Sequence, residues 1–358
     1  MSEMSAELIS ATSAMLGRFP LTPGTPAPGV DEALWEALSD AGFTSIDVAE
    51  DAGGQGGTLA DAAAVFSTLT EAGAITPFAE HALLGTWLAG SGGLSVGNGI
   101  STVAAISDGA VRFDGDRLHL TGAIRDVVHV STADVVVVLV ETVGAPMVAT
   151  FALDGPGVNL GAGTDAQGVS FGDVVFEDAP ASESAPSSIT SADLTDRGAL
   201  VYAIALTAAA TAVRDLTVRY ASERTQFGRP LVKFQAIQHR IAMIAAQTTL
   251  METAVATALR SAADRTPITS NTIAAAKIVT SLHAHQIAAG AHQIHGAIGF
   301  TSEHHLGRHT TALWSWRDRY GTETQWADEL GARILDSGTD PWDVITGTVH
   351  SSATGSTP

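Results

Sequence analysis

The sequence contains no cysteine and little positive charge. Among its 358 residues, 18 lysines and arginines stand against 38 aspartates and glutamates, giving a formal net charge of −20. The lack of cysteine excludes disulfide frameworks, thiolate metal sites and cysteine nucleophiles. The acidic balance, without any lysine- or arginine-rich run, argues against nucleic acid and anionic membrane surfaces as partners.

Signals for export and for membrane insertion are absent as well. The first residues, Met1 to Gly29, carry acidic residues and several prolines instead of a charged-then-apolar export signal. Apolar stretches such as 205–213 are too short and too rich in alanine to cross a bilayer. We therefore expect a cytoplasmic enzyme subunit with two or three structural units.

The N-terminal part has a helical pattern. Apolar residues recur at helical intervals in 30–42 and again in 58–88, with a break near Pro77. The glycine loop between them, Gly53 to Gly57, follows no strand and lacks the lysine of a phosphate-binding loop. We interpret this loop as a turn between helices.

A β pattern begins near residue 98. Hairpin signals occur at Asp114-Gly115 and at the Val143-Gly144 turn. The stretch 179–188, rich in proline, serine and alanine, predicts a linker. The predicted strands are 110–113, 117–121, 134–141, 146–153 and 171–176.

Beyond Asp193 the pattern is helical almost to the end. Alanine-rich stretches that are apolar on more than one face predict helices packed inside a bundle. The organisation is thus of the α+β class. The predicted helices are 200–220, 234–261, 272–290 and 302–318. The predicted units are a helical N-terminal domain (1–97), a small β domain with its linker (98–190), a C-terminal helical bundle (191–345) and a disordered tail (346–358).

The most informative motif is RYASERTQFGRPLVKFQAIQHR, residues 219–240. A helix end, a tight turn and a new helix would bring Arg224 and Gln235 toward one side. A guanidinium and an amide in that arrangement suit a diphosphate and its adenosine. A helix-to-helix corner with surface charges is the competing interpretation, and these residues alone leave both open.

This run resembles the signature of the acyl-CoA dehydrogenase family, in which an arginine is followed three residues on by Phe-Gly and later by Phe-Gln. In that family the arginine, the phenylalanine and the glutamine contact the FAD of the neighbouring subunit. The resemblance therefore assigns this role to Arg224, Phe227 and Gln235.

A second segment, QIHGAIGF at 293–300, resembles the family's Gln-x-x-Gly-Gly-x-Gly-Phe/Tyr segment, which approaches the ADP part of the flavin from the other subunit. It adds Gln293, Gly296 and Ala297 to the implied cofactor contacts. Small residues let the backbone come close to a phosphate, and Ala297 replaces the second glycine.

The sequence departs from the family in its β domain. Relatives carry a Thr-Glu-Pro-x-x-Gly-Ser type loop and a Trp-Ile-Ser/Thr type strand, which shield and hydrogen-bond the isoalloxazine. The corresponding regions here, 103–108 (VAAISD) and 124–128 (IRDVV), contain neither. We expect weak flavin binding by this subunit's own β domain.

The usual catalytic base is also absent. In the family's reaction a glutamate of a Glu-Gly-Thr segment removes the α-proton of the thioester while hydride leaves the β-carbon for the flavin. Here the segment is Tyr320-Gly321-Thr322. A phenol titrates near ~10 and a glutamate near ~4, so Tyr320 is a poor base. Thr322 and Thr324 keep positions that can meet the flavin.

Two carboxylates are alternatives to Tyr320. Some relatives seat the glutamate just before an arginine on the first bundle helix, and Asp196-Arg197 stands in about that place. Aspartate is one methylene shorter than glutamate, and an acid stabilised by the helix N-terminus is the competing interpretation. Glu323 is a further candidate for the base, three residues after Tyr320.

Other enzyme classes lack their signals. His292 and His295 share a helix face without a third metal ligand, so we predict no metal site. Neither a Gly-x-Ser-x-Gly elbow nor a dinucleotide fingerprint is present.

The resemblance implies a helical N-terminal domain, a small β domain and a four-helix bundle that builds dimers and tetramers. It implies FAD-dependent α,β-dehydrogenation of an acyl-CoA, with electrons passed to an electron-transfer acceptor. The missing base points to a hetero-oligomer with a related subunit, similar to actinobacterial enzymes of steroid side-chain breakdown, although a homo-oligomer remains open. The alternative is a non-catalytic scaffold or acyl-CoA-binding subunit of the same fold.

Overall fold

The computed structural model describes residues 3–24, 29–50, 53–97, 99–142, 144–266, 269–338, 340 and 342. Val143 of the predicted turn and the predicted tail 346–358 lie outside these ranges. Within them, N-terminal helices are followed by a two-sheet β unit and then by a helical bundle.

The N-terminal unit is helical, as predicted. One of its helices, α1, lies in the proline-rich start that the sequence gives no reason to call helical. It buries the small polar residues Ser5 and Thr12, and its Leu8, Met15 and Leu16 are partly buried against the core. Ser5 donates a hydrogen bond of 2.6 Å to Asp61 of α3. The helices are α1 (Glu3–Leu16), α2 (Glu32–Asp40), α3 (Leu59–Ala72), a π-helical segment (Ala79–Gly85) and α4 (Thr86–Ser91).

The glycine loop is a turn between helices, as predicted. Its N–H groups donate to backbone carbonyls of the same loop, for example Gly54 to Ala49 at 3.0 Å and Gly56 to Val48 at 2.8 Å. No backbone donor from Gly53 to Gly57 is left to hold a phosphate, because the other three are engaged in the same way.

The β unit consists of two four-stranded sheets. The first has the order β1-β4-β5-β8 and the second the order β2-β3-β7-β6, with β1 and β4 parallel and the other pairs antiparallel. Apolar side chains such as Val138, Phe151 and Phe176 fill the core of the unit. The strands are β1 (Ser101–Ile106), β2 (Ala110–Asp114), β3 (Arg117–Val128), β4 (Val135–Val140), β5 (Met147–Ala152), β6 (Val158–Thr164), β7 (Ser170–Pro180) and β8 (Glu183–Pro186).

The linker prediction for 179–188 was wrong. Strand β7 runs into this stretch, and β8 lies wholly within it and pairs with β5, with Val148 opposite Ala185. An edge strand needs backbone pairing on one side only and therefore tolerates proline and serine. Strand β6 was not predicted for the same reason. It is an edge strand, and its segment VNLGAGT is exposed and rich in small residues.

The C-terminal unit is the predicted bundle, with one more helix resolved at its end. Two of its helices, α5 and α6, are long and apolar enough to span a bilayer by length and composition. Core helices of bundles meet the same criteria, and 78% of the apolar window in α5 is buried inside the protein, against 28% in α6. The helices are α5 (Ser191–Glu223), α6 (Gln235–Asp264), α7 (Thr269–His295), α8 (Leu306–Trp316) and α9 (Glu323–Ser337).

Two arginines join the N-terminal unit to the bundle. Arg308 of α8, almost fully buried, donates to the Asp31 carboxylate at 3.0 Å and to the Gly73 carbonyl at 2.8 Å. Arg197 of α5 donates to the Leu83 carbonyl at 2.7 Å and pairs with Asp47. Through Arg197 the π-helical segment is fixed against α5, which brings residues of both elements to one site.

Candidate functional site

A pocket of about 600 Å³ lies where α5 turns into α6 and where α7 ends. We call it the corner pocket. Five of the residues predicted to contact the cofactor line it: Arg224, Phe227, Gln293, Gly296 and Ala297. The other three, Gln235, Thr322 and Thr324, lie outside the lining, and Gln235 is the exposed first residue of α6.

The turn between α5 and α6 has the backbone geometry that the motif predicts. Helix α5 ends at Arg224, which adopts an extended conformation, and two-residue strands (Thr225–Gln226 and Arg229–Pro230) pair across the turn. Phe227 and Gly228 at the tip have φ of 52° and 80°. Such left-handed backbone at a phenylalanine is uncommon and sets the ring at the outer tip of the turn.

The corner pocket exposes an aromatic ring and a guanidinium. Phe227 is 90% exposed and makes one edge contact, with the Phe234 ring at 6.1 Å. Among the described residues the Arg224 guanidinium forms no hydrogen bond and no ion pair, whereas that of Arg229 lies over the Phe234 ring at 4.2 Å. An exposed aromatic ring beside an uncommitted guanidinium is typical of a surface that a ligand or another subunit covers.

The wall of the corner pocket contains two stacked aromatic rings. The Tyr220 ring stacks on the His295 ring at 4.5 Å, and the Tyr220 hydroxyl donates to the His295 carbonyl at 3.3 Å. Burial lowers the pKa of His295 to about 4, so its imidazole is neutral at physiological pH. Arg224 is therefore the charged group of the pocket lining, and it favours an anionic ligand.

A second opening, of about 500 Å³, lies between the β unit and the bundle. We call it the domain cleft. Tyr320, at the position of the family's glutamate, lines it from the loop between α8 and α9. The other lining residues are Glu80, Val103–Ala105, Ile124–Val128, Asp165, Phe171, Ser315, Asp318 and Arg319.

Tyr320 is packed against the bundle. Its ring stacks on that of Tyr202 at 5.8 Å and lies against Gly198 of α5, where a Cβ would be 2.3 Å from the ring. Burial, with the nearby Glu80 carboxyl, raises the pKa of Tyr320 well above its ordinary value. The phenol is therefore neutral at physiological pH and an even poorer base than a free tyrosine.

Sequence reasoning missed Glu80, the buried carboxyl group of the domain cleft. The side chain of Glu80 is 1% exposed and accepts a hydrogen bond from the Tyr202 hydroxyl. Burial raises the pKa of Glu80, which favours its protonated form. A single acidic residue in the apolar run FAEHALLG was the available signal, but its π-helical setting and its distant partner Tyr202 cannot be read from that run.

Sequence reasoning also missed Arg319, which with Arg125 is one of the two arginines that line the domain cleft. Its guanidinium donates to Asp165 at 3.2 Å and lies over the Phe171 ring at 4.1 Å. Both partners belong to the β unit, so Arg319 connects that unit to the loop that carries Tyr320. This pairing joins positions 154 apart in the chain and has no local pattern.

The alternative bases lie away from the cleft lining. Asp196 accepts a hydrogen bond from Ser270 of α7, and Glu323 pairs with Arg317. Thr322 is the N-cap of α9, with its hydroxyl oxygen accepting from the Gln325 N–H at 3.2 Å, and Thr324 is exposed on the same helix. The described residues contain no cluster of three or more His, Asp or Glu side chains that could hold a metal ion.

The fold and the motifs agree with the comparisons to known proteins. Residues 190–326 match the family "Acyl-CoA dehydrogenase, C-terminal domain". Acyl-CoA dehydrogenase IpdE2 of Mycolicibacterium smegmatis is 31% identical over 288 residues, which cover 78% of this chain and 80% of that protein. The chain therefore belongs to the acyl-CoA dehydrogenase family.

Solved structures share the whole fold. The ChsE4-ChsE5 complex from Mycobacterium tuberculosis contains a chain with a TM-score of 0.86 and 22% identity, covering 95% of this chain and 99% of its own. A variant of the Tcur3481-Tcur3483 steroid ACAD has a TM-score of 0.84 and 20% identity, with coverages of 94% and 99%. The predicted family and the predicted three-part fold are confirmed.

Proposed function

We propose that this chain is the base-deficient subunit of an FAD-dependent acyl-CoA dehydrogenase, in which a related subunit supplies the glutamate. The observation that carries the proposal is the contrast between an open corner pocket with an uncommitted Arg224 and a domain cleft in which Tyr320 occupies the base position. An electron-transfer acceptor completes the proposed reaction.

The residues of the corner pocket fit the ADP part of FAD. Arg224 would hold the diphosphate through charge-assisted hydrogen bonds, and the left-handed backbone at Gly296 lets the chain approach it closely. Phe227 would cover the cofactor, while Gln235 and Gln293 offer amides to the adenosine. Bound FAD would supply the hydride acceptor of the reaction.

The flavin contacts of Thr322 and Thr324 remain proposals of the same kind. The Thr322 hydroxyl already caps α9, and it donates to the Gln325 side chain at 3.2 Å. A flavin contact would have to share or replace that bond. Asp196 and Glu323 are second choices as bases, because both are engaged with partners outside the cleft lining.

Names of similar proteins support the partner and the substrate class. The ChsE4-ChsE5 and Tcur3481-Tcur3483 structures are named as pairs of components, and the second is named a steroid ACAD. We infer for this chain a related acyl-CoA dehydrogenase subunit as partner and a CoA thioester from steroid breakdown as substrate.

Expression with and without such a subunit tests the proposal. The chain alone should dehydrogenate acyl-CoA esters poorly, and co-expression with the related subunit should restore both turnover and visible flavin absorbance. Robust turnover by the pure homo-oligomer would refute base deficiency, and Asp196→Asn would then test the alternative base. A colourless, inactive assembly would instead favour the scaffold role.

A further inference from the structure

Glu80, Tyr320 and Tyr202 form part of the wall at which the domain cleft ends. Glu80 lines both the cleft and a small cavity of about 30 Å³, as Val128 and Asp165 also do. Tyr320 lines the cleft, Tyr202 lines the small cavity, and the Tyr202 hydroxyl donates to Glu80. The two tyrosines therefore lie on opposite sides of this shared wall.

Backbone geometry and close packing together hold Tyr320 in this wall. Its φ of 52° is rare for a tyrosine, and its carbonyl accepts a hydrogen bond of 2.8 Å from the Trp326 indole. On the other side the ring contacts the bare backbone of Gly198, where a Cβ would lie 2.3 Å from the ring carbon Cδ1. A residue larger than glycine at 198 would displace the ring.

The position of Tyr320 decides what the cleft can accept. Tyr320 stands where the family's base removes the α-proton, so the acyl carbons of a thioester in this cleft would have to pass its ring. We propose that Tyr320, seated on Gly198 and stacked against Tyr202, is a plug that closes this chain's own cleft to the acyl group of a CoA thioester.

The space behind the plug suits water and excludes an acyl chain. A cavity of about 30 Å³ has room for about one water molecule. Its lining includes Thr70, His129 and Gln167, and the buried Gln167 Oε1 has no hydrogen-bond partner among the described residues. A hydrocarbon there would leave this polar atom unsatisfied, whereas a water could donate to it.

One consequence is a count of binding sites. If the related subunit has an open cleft, a complex of the two subunits binds one acyl group per pair. This consequence rests on the proposed function, whereas the plug itself is a property of this chain and can be measured without flavin or turnover.

Isothermal titration with S-butyl-coenzyme A, a thioether that cannot be dehydrogenated, measures that count. The co-expressed complex should bind one butyl probe per pair of subunits, and Tyr320→Ala should raise the number to two. On the chain alone the number should rise from zero to one. Free coenzyme A, which lacks the butyl group, should give no count on the chain alone, parent or variant, and no difference between the two complexes.

Matched variants separate ring volume from other effects. Tyr320→Phe keeps the ring and should bind as the parent does, whereas Tyr320→Leu should bind as the alanine variant does and serves if that variant fails to fold. Two probes per pair on the parent complex would overturn the plug, as would an unchanged count on folded alanine and leucine variants. Loss of flavin and turnover in the complex, with the count still rising on the chain alone, would refute the proposed function and leave the plug standing.

Discussion

The corner pocket and the domain cleft differ in how far their charged and aromatic side chains contact other residues of the chain. In the corner pocket Phe227 is 90% exposed and meets only the edge of the Phe234 ring, and the Arg224 guanidinium has no hydrogen bond or ion pair among the described residues. In the domain cleft Tyr320 is stacked on Tyr202, and Arg319 is paired with Asp165. The corner pocket thus exposes its cation, whereas the domain cleft engages Tyr320 and Arg319 with neighbouring side chains, although Ser315 Oγ and Arg319 Nη1 have no hydrogen-bond partner among the described residues.

Truncating one aromatic residue in each region should show the largest difference. Tyr320→Ala removes a packed ring and should lower the free energy of unfolding by on the order of 2–3 kcal/mol. Phe227→Ala removes a ring that is 90% exposed and should change it by less than about 0.5 kcal/mol. Urea unfolding of the two purified variants measures both. Similar losses for the two would contradict the contrast between the regions.

Mutation of the corner pocket should lower the retention of the cofactor rather than the free energy of unfolding. Arg224→Ala removes a charge-assisted contact to phosphate, which should weaken FAD binding in the assembled oligomer by about 1.5–3 kcal/mol. The measurement is flavin absorbance per protein after gel filtration. Arg219→Ala is the control, since Arg219 is exposed on the same helix and outside the pocket lining. Unchanged flavin content in the Arg224 variant would count against the cofactor assignment.

The two regions also differ in how far the sequence could predict them. The corner pocket is built from contiguous segments, 220–237 and 293–298, so a motif names most of its lining. The domain cleft is assembled from the π-helical segment, β1, β3, the loop after α8 and single residues between them. The hydrogen-bond partner of Glu80 is Tyr202, which is 122 positions away in the chain. No local sequence pattern predicts this contact.

Secondary structure follows the same rule. The long bundle helices are rich in alanine and other apolar residues, and the sequence predicts their existence, although α5 begins at Ser191 and not near residue 200. Helix α1 and strand β8 are stabilised by tertiary contacts, Ser5 with Asp61 and β8 with β5, and their own residues give weak signals. Tertiary pairing thus overrides local propensity where an element is short or polar.

The contact between Gly198 and Tyr320 predicts a compensating pair of mutations. Gly198→Ala places a methyl group 2.3 Å from the ring and should destabilise the chain by about 1–3 kcal/mol through overpacking. With Tyr320→Ala already present, the same change should be neutral or stabilising by up to about 1 kcal/mol, because alanine favours the helix more than glycine does. A double-mutant cycle of unfolding free energies measures the coupling. Additive effects would show that the ring does not depend on Gly198.

The smallest effect concerns Glu80 and depends on pH. Because burial raises the pKa of Glu80, the folded chain holds this proton to a higher pH than the unfolded chain, where a glutamate titrates near ~4.3. The folded state then binds more protons, so the contribution of Glu80 to stability is complete below the unfolded pKa and is lost as pH rises through the raised one. Glu80→Gln cannot ionise, and its amide oxygen can accept the Tyr202 hydroxyl bond.

The melting temperature of Glu80→Gln relative to the parent should therefore increase between pH 5 and pH 8, by on the order of one or two degrees. Other titrating groups contribute equally to both proteins and cancel in the difference. Glu177→Gln, at an exposed site, should give a difference that does not change with pH. A relative melting temperature for Glu80→Gln that stays constant or falls toward pH 8 would mean that Glu80 is already ionised in the folded chain. The wall of the domain cleft would then hold a buried carboxylate, with the Tyr202 hydroxyl as its hydrogen-bond donor.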